Sequence, residues 1–241
     1  MFTYRNERNG SCSEITPADE GTNLVVQLAA SHPPLLFLCG PEPMYRRLSG
    51  PPDVCWVGIR LRPGATTALF GVEGRDVAGG LLMVEALLPR DHRELVGGLG
   101  DNDNDNALGI VFDFVRARER RARPSAAVER VHAAVGLLTR AQPLGLDEAV
   151  RALGTSTRTF RREFGQLVGI SPKRFSRVVR LRRAARRLGA ARSLATLALE
   201  AGFADQAHMT REFVSLIGLA PGEVRQAVLP FVPGANGSVV E

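Results

Sequence analysis

Residues 198–213 of the chain read ALEAGFADQAHMTREF, and residues 149–164, which lie 49 positions earlier, read AVRALGTSTRTFRREF. Both stretches have alanine at their first and fourth positions and end in Arg-Glu-Phe, and the match continues with Gly169 on Gly218 and Pro172 on Pro221. Small alanine side chains in a first helix let a second helix approach closely, and a glycine in the turn permits backbone angles that other residues resist. The repeat therefore predicts two helix-turn-helix units.

The second helix of each unit is predicted at about residues 156–167 and 205–216. Ser156 and Asp205 suit the N-cap position, because their side-chain oxygens can accept a hydrogen bond from a backbone N–H that the helix leaves unpaired. Helix N-termini also attract phosphate, so both caps are candidates for lying near a phosphate group. An apolar stripe is predicted to face inward, formed by Phe160, Phe164 and Leu167 in unit one and by Met209, Phe213 and Leu216 in unit two.

The opposite face of each second helix carries the candidate DNA-binding residues. They are Arg158, Arg161 and Arg162 in unit one and Gln206, Ala207, His208 and Arg211 in unit two. Arginine suits bidentate contact with guanine and glutamine suits adenine, so these side chains are predicted to read base edges in the major groove of double-stranded DNA. Two alternatives stay open: the arginines form a solvated helical face, or His208 caps or packs beside Asp205.

The segment between the two units is predicted to be a basic helical rod. Pro172 suits a first helical position, and Lys173–Leu188 carries seven arginines beside an apolar face. Such a rod would hold the two second helices about 34 Å apart, which is the spacing of successive major-groove turns along one face of DNA.

The net charge of +6 is an average over an acidic and a basic half. Residues 1–115 carry 9 Arg and 15 acidic side chains, whereas residues 116–228 carry 21 Arg, one Lys and 9 acidic side chains. This asymmetry indicates that the C-terminal half binds a polyanion while the other half has a different role. Because 30 Arg against one Lys is typical of a GC-rich genome, the location of the arginines is more informative than their number.

The N-terminal half is predicted to be rich in β-structure. Short apolar runs bounded by Pro and Gly predict strands at Asn23–Leu28, Pro34–Cys39 and Val54–Leu61. Helices are predicted at Ala65–Phe70, Leu81–Leu88 and Arg90–Leu99. The acidic segment 100–106 has nothing to bury and is predicted to be an exposed loop or linker, followed by a helix at Ala107–Arg121.

Three residues in or directly after the third predicted strand raise the question of an effector site. Arg60 and Arg62 alternate with apolar residues, which predicts a strand that exposes both arginines, with an anionic effector as the alternative. Trp56 is interpreted as a core residue, and the alternative is a wall of a ligand site.

Taken together, these patterns predict an α+β protein with four segments. Residues 1–99 form a β-rich domain, and residues 100–125 form a linker and a connecting helix. Residues 126–228 form an all-α domain that contains both helix-turn-helix units, and residues 229–241 form a flexible tail.

No metal, cofactor or catalytic residue is predicted. Cys12, Cys39 and Cys55 lack the paired short spacing of a zinc site and are interpreted as packing residues, and the histidines His32, His92 and His132 are isolated. The N-terminus has no basic stretch followed by an apolar core, and no run approaches the roughly 18 apolar residues of a membrane helix. We therefore expect a soluble, cytoplasmic protein without membrane contact.

The residues of the second unit, with GLAP at 218–221 and Arg225, resemble the C-terminal DNA-binding domain of AraC/XylS-type transcriptional regulators over about residues 126–226. Met209 and Val224 depart from the residues usual in that family. The resemblance implies an effector-modulated bacterial transcription factor in which the seven outward residues named above approach bases. It also implies RNA polymerase as a partner.

The N-terminal half carries a second resemblance. Residues 57–65 and 69–72, which read VGIRLRPGA and LFGV, look like an uncharacterised domain found before such DNA-binding domains. This implies that residues 1–99 bind a small-molecule effector or mediate homodimerisation.

Two other functions compete with this hypothesis. Some DNA-repair methyltransferases carry such a DNA-binding domain, but they need an activated thiol, and no Pro-Cys-His-Arg motif or four-cysteine cluster occurs here. The other is a ligand-binding or dimerisation module whose DNA affinity is non-specific and arises almost wholly from counterion release.

Overall fold

The computed structural model describes residues 2–5, 12–50, 54–99, 104–140 and 142–225. The tail predicted at 229–241 and the first residues of the linker predicted at 100–106 lie outside these ranges. Among the described residues, no helix is both long and apolar enough to cross a membrane.

The described part of the N-terminal half contains two antiparallel sheets, in agreement with its predicted richness in β-structure. The strands are β1 (Phe2–Arg5), β2 (Cys12–Thr16), β3 (Asn23–Ala29), β4 (His32–Cys39), β5 (Arg46–Gly50), β6 (Val54–Arg60) and β7 (Leu81–Met83). The larger sheet has the order β1-β6-β3-β4-β7, and β2 pairs with β5. Alternate apolar residues face the core: Val26 of β3 lies between Leu36 of β4 and Val57 of β6, and all three are fully buried.

Helices cover the apolar face of the larger sheet. They are α1 (Ala65–Phe70), α2 (Gly74–Val77), α3 (Val84–Leu87), α4 (Pro89–Gly98) and α5 (Asn104–Arg121). Helix α5 packs through Ala107, Val111 and Val115, which recur every four residues and therefore share one face.

Three predictions for this half are wrong in part. The segment Leu81–Leu88 begins as a strand, because Leu81–Met83 pairs with β4, and turns helical only at Val84. The predicted loop ends inside a helix, since α5 begins at Asn104. Arg60 is not exposed, although Arg62 is, because Arg60 pairs with two carboxylates of the segment before β3: its guanidinium lies 2.5 Å from Asp19 Oδ1 and 2.8 Å from Glu20 Oε1.

The C-terminal half is all helical, as predicted. Its helices are α6 (Ala126–Thr139), α7 (Leu146–Ala152), α8 (Thr157–Val168), α9 (Pro172–Arg187), α10 (Leu194–Glu200), α11 (Gln206–Ile217) and α12 (Pro221–Val224). Helix α9 is shared by two apolar clusters. Phe175 and Val179 belong to the cluster of α6–α8, whereas Val178 and Leu181 belong to that of α10–α12. The predicted α+β architecture with a double helix-turn-helix region is confirmed.

Candidate nucleic-acid interface

The first unit consists of α7, a turn and α8. Ser156 caps α8, and its Oγ accepts a hydrogen bond from the Thr159 backbone N–H at 3.1 Å. Phe160 and Phe164 are buried with ring centroids 5.5 Å apart, which anchors the inward face. The outward face carries Arg158, Arg161 and Arg162, which are all exposed and form no hydrogen bond or ion pair with any described residue.

The second unit consists of α10, a turn and α11. Asp205 caps α11, and its Oδ1 accepts a hydrogen bond from the His208 backbone N–H at 2.6 Å. Met209, Phe213 and Leu216 are fully buried, as the stripe predicts. Gln206, Ala207 and Arg211 are exposed on the opposite side.

His208 lies in the first turn of α11, but its side chain packs back against the connection between α10 and α11 rather than joining the exposed row. Its Nδ1 accepts a hydrogen bond from the Ala204 N–H at 3.3 Å, and its ring meets Phe203 edge-on with centroids 5.5 Å apart. Its Nε2 lies 4.0 Å from a carboxylate oxygen of Glu212. The packing role left open for His208 fits this placement.

An apolar residue that the sequence reasoning missed extends the outer face of α11. The side chain of Val214 is 48% exposed, although the other large apolar residues of the helix, Met209, Phe213, Leu216 and Ile217, are buried. It follows Ala207 by seven residues and Arg211 by three, so the three side chains share one face. The signal was present in the sequence as an apolar residue outside the inward stripe.

Two arginine–glutamate pairs connect α8 and α11, the candidate recognition helices, to the helices that pack behind them. In unit one, Arg130 of α6 donates two hydrogen bonds to Glu163, at 2.6 and 3.1 Å. In unit two, Arg177 of α9 donates two to Glu212, both at 2.9 Å. The hydrogen bond to Glu163 raises the pKa of Arg130. The two glutamates occupy the same place in the shared Arg-Glu-Phe, and each arginine lies on the helix that precedes its unit, 33 residues before the glutamate in unit one and 35 in unit two.

A groove of about 760 Å³ lies between α8 and α9 and reaches toward unit two. Its lining combines apolar residues such as Leu144, Leu146 and Ile170 with the polar and basic side chains of Arg161, Lys173, Ser176, Arg177 and Arg180. Arg180 joins the groove to the second turn, because it donates to the Gly202 carbonyl at 3.2 Å and its guanidinium lies 4.8 Å from the Phe203 ring centroid. Lys173 is exposed, and no described residue pairs with it.

The exposed cationic side chains Arg158, Arg161, Arg162, Lys173 and Arg211 give this surface a chemistry that suits a polyanion. Within the described ranges, no three His, Cys, Asp or Glu side chains come close enough together to hold a metal ion. Burial raises the pKa of the Cys39 thiol to about 12, with a further contribution from the Asp19 carboxylate, so this thiol is not an activated nucleophile.

Comparison with known proteins agrees with this geometry. Residues 149–227 match a family model described as a helix-turn-helix domain. A solved transcriptional regulator with an AraC-type DNA-binding domain, from Chromobacterium violaceum, is 27% identical, with 41% of this chain and 90% of that chain covered and a TM-score of 0.38. A search of curated protein sequences finds no match.

Structures of ToxT from Vibrio cholerae are similar over most of the chain. One is 12% identical, with 97% of both chains covered and a TM-score of 0.46. Another, bound to an unsaturated fatty acid, is 13% identical, with 92% of this chain and 89% of that chain covered and a TM-score of 0.43. The family match and the two repeated units agree that the C-terminal half of the chain contains a helix-turn-helix domain, which the family model matches over residues 149–227.

Proposed function

We propose that the protein is a sequence-specific transcription regulator that inserts α8 and α11 into successive major-groove turns on one face of double-stranded DNA. The observation that carries this proposal is the row of exposed side chains without protein partners on each second helix, repeated in two units that share α9. Recognition helices present the side chains of their N-terminal half to base edges, and paired sites lie about 34 Å apart.

The two units are proposed to read different bases. Unit one offers three arginines, Arg158, Arg161 and Arg162, and arginine pairs most often with guanine. Unit two offers Gln206, which suits adenine, together with Ala207 and Val214, whose apolar surfaces suit the methyl group of thymine. We therefore expect an asymmetric operator with a guanine-containing and an A·T-containing half-site.

Contacts to the DNA backbone are proposed to set the register. The capped N-termini of α8 and α11, at Ser156 and Asp205, can direct backbone N–H groups at phosphates. The backbone strand that crosses between two major-groove turns would face the groove that contains Lys173 and Ser176. Such contacts position the protein but do not specify sequence.

The roles of the other segments are proposed at a coarser level. The N-terminal half, predicted at residues 1–99, is proposed to respond to a small-molecule effector or to mediate homodimerisation. Because the proposed function is regulation of transcription, RNA polymerase is the proposed protein partner and the bacterial cytoplasm the proposed compartment. No enzymatic activity is proposed, since the groups of the interface are suited to binding.

Sequencing the genomic DNA fragments that the purified full chain retains at moderate salt tests the proposed function. We expect enrichment of one motif with two half-sites whose centres lie about 10 bp apart. The Arg161→Ala variant should lose the preference at one base pair, whereas Arg120→Ala, which removes an exposed arginine of α5, should retain the wild-type motif. Retention of unrelated fragments in proportion to their length would instead support non-specific binding.

A further inference from the structure

The N-terminal half contacts both recognition helices at positions that the repeat makes equivalent. Gly169 ends α8 and Gly218 ends α11, and both have positive φ angles, of 93° and 82°. The backbone of Gly74 in α2 lies directly against Leu167 and Gly169. A Cβ on Gly74 would overlap the carbonyl oxygen of Leu167, and a Cβ on Gly169 would overlap the carbonyl oxygen of Gly74. At the other helix, the ring of Tyr45 covers Gly218, where a Cβ would lie 2.7 Å from the ring.

A residue of the N-terminal half, Ala18, also contacts unit two through a hydrogen bond and apolar packing. The Ala18 N–H donates a hydrogen bond of 2.7 Å to the carbonyl of Leu216 in the last turn of α11. Ala18 is 2% exposed and belongs to the apolar cluster of α10–α12. Leu216 is the repeat equivalent of Leu167, whose carbonyl contacts Gly74. The N-terminal half therefore contacts each recognition helix at the same carbonyl, through a hydrogen bond in unit two and through close packing of Gly74 in unit one.

The connecting helix α9 is held by the same half of the protein. Arg182 lies 3.1 Å from Asp19 Oδ1 and 3.1 Å from Glu20 Oε2, and Arg174 donates to the Pro43 carbonyl at 3.0 Å. These contacts leave the outward faces of α8 and α11 free, because all of them lie at the helix C-termini or on α9. The N-terminal half thus sits away from the surface proposed to meet DNA.

We propose that the N-terminal half acts as a second strut beside α9 and fixes the separation of the two recognition helices, with Gly74 and Tyr45 as positioning residues. The inference rests on the proposed function. Two units that share only α9 can move relative to one another when that helix bends or repacks. Two units that are also held at a second pair of points are restrained against such movement. Rigid coupling makes the second binding event intramolecular only when the spacing of the half-sites matches that of the protein. The N-terminal half therefore sets which half-site spacing the regulator accepts.

The test compares the wild-type full chain with the double variant Gly74→Ala/Tyr45→Ala. The probes are duplexes that carry the two half-sites selected by the wild type, the same duplexes with 5 bp inserted between the half-sites, and each half-site alone. The matched control is Gly97→Ala in α4, where an added Cβ meets no atom within 4 Å. Hydrogen exchange of the Ala18 amide reports docking, and circular dichroism reports folding of the helical units.

An insertion of 5 bp turns one half-site to the opposite face of DNA, and we expect it to weaken wild-type binding by about tenfold or more. In the double variant that penalty should fall to about threefold or less, with the affinity for single half-sites within about twofold of wild type. The Ala18 amide should exchange faster, and Gly97→Ala should behave as wild type in every assay. Arg182→Gln, which removes an ion pair without adding volume, should shift the spacing penalty in the same direction.

The inference would be overturned if the Ala18 amide exchanges faster in the double variant but the 5 bp insertion still weakens binding as much as in the wild type. In that case α9 alone would set the spacing. A double variant that keeps both the protection and the penalty would overturn the assignment of Gly74 and Tyr45. If the wild type binds paired and single half-sites equally well, the proposed function itself is contradicted. Wild-type binding to these duplexes is enough to recognise this outcome, without any variant.

Discussion

Arg177 of the connecting helix holds Glu212 of the second recognition helix through two parallel hydrogen bonds, each 2.9 Å long. Glu212 directly follows Arg211, an exposed residue of the proposed reading face, so the pair fixes the rotation of the helix that presents that side chain. Bidentate arginine–carboxylate pairs add geometric specificity to their energy. The orientation of the reading face is therefore set from behind by a residue that does not itself need to touch DNA.

Replacing this arginine by lysine tests the bracing role. Because an ammonium group cannot make two parallel hydrogen bonds, Arg177→Lys should lower the free energy of unfolding by about 1 kcal/mol. Binding should weaken mainly at the half-site read by unit two, as measured with single half-site duplexes. The control is Arg187→Lys at the ion pair with Glu200, where both side chains are about half exposed and a surface pair contributes little. Equal losses for the two variants would contradict the bracing role.

A base-reading arginine and a phosphate-binding one have different signatures. Arg161→Ala should cost about 1 to 3 kcal/mol of binding free energy on the selected operator and relax the preference at one base pair. Competition assays with single-base operator variants measure both effects. If affinity falls equally on selected and random duplexes, Arg161 does not read a base and belongs to the solvated or phosphate-binding face.

The position of Lys173 in the groove between α8 and α9 predicts how DNA binding depends on salt concentration. If Lys173 contacts a phosphate, Lys173→Gln should reduce the slope of log affinity against log salt concentration by about 0.9 and weaken binding to all sequences alike. Binding isotherms at four or more salt concentrations give the slope. Arg93→Gln, which removes one charge from the distant helix α4, should leave the slope unchanged. A slope for Lys173→Gln that equals the wild-type slope would exclude a phosphate contact at this lysine.

The ion-pair cluster between the two halves predicts a pH dependence of stability. Burial opposes ionisation of Asp19, but the guanidinium groups of Arg60 and Arg182 outweigh it and lower its pKa from 3.8 to about 2. A carboxyl whose pKa is lowered in the folded state stabilises the protein above its unfolded pKa and loses that contribution as the pH falls through its folded pKa. Stabilisation by Asp19 should therefore be complete at neutral pH and disappear between about pH 4 and pH 2.

Denaturant unfolding of Asp19→Asn at several pH values checks this expectation. At pH 7 the variant should be less stable than wild type by about 2 kcal/mol, and the difference should shrink below about pH 4. Asp113→Asn, at an exposed carboxyl of α5, provides the control. A difference that stays constant down to pH 2 would show that the charge of Asp19 is not responsible.

The helix-turn-helix region could be predicted from the sequence because its signals are local. Ser156, Asp205 and the glycines at the helix ends act on neighbouring backbone, so α8 and α11 begin and end within one residue of the prediction. The outward residues follow from the same periodicity. The functional roles of these residues stay predictions.

Features that depend on distant partners could not be predicted in this way. The strand at Leu81–Met83 exists because its backbone pairs with β4, and an apolar run of that length suits a helix equally well. Arg60 looked exposed because its carboxylate partners lie some forty residues earlier. The bracing arginines are found only once α6 and α9 lie against the recognition helices, since nothing in the local pattern relates Arg130 to Glu163.

The hydrogen bond from Ala18 to Leu216 joins nearly the two ends of the described chain and has a consequence for folding. During synthesis the residues around Ala18 emerge early, but their partner helix α11 is among the last elements to be made. Contacts between residues so distant in sequence form late and slowly. The N-terminal segment must therefore wait, undocked, until almost the whole polypeptide exists, so a truncated product cannot assemble the complete two-headed protein.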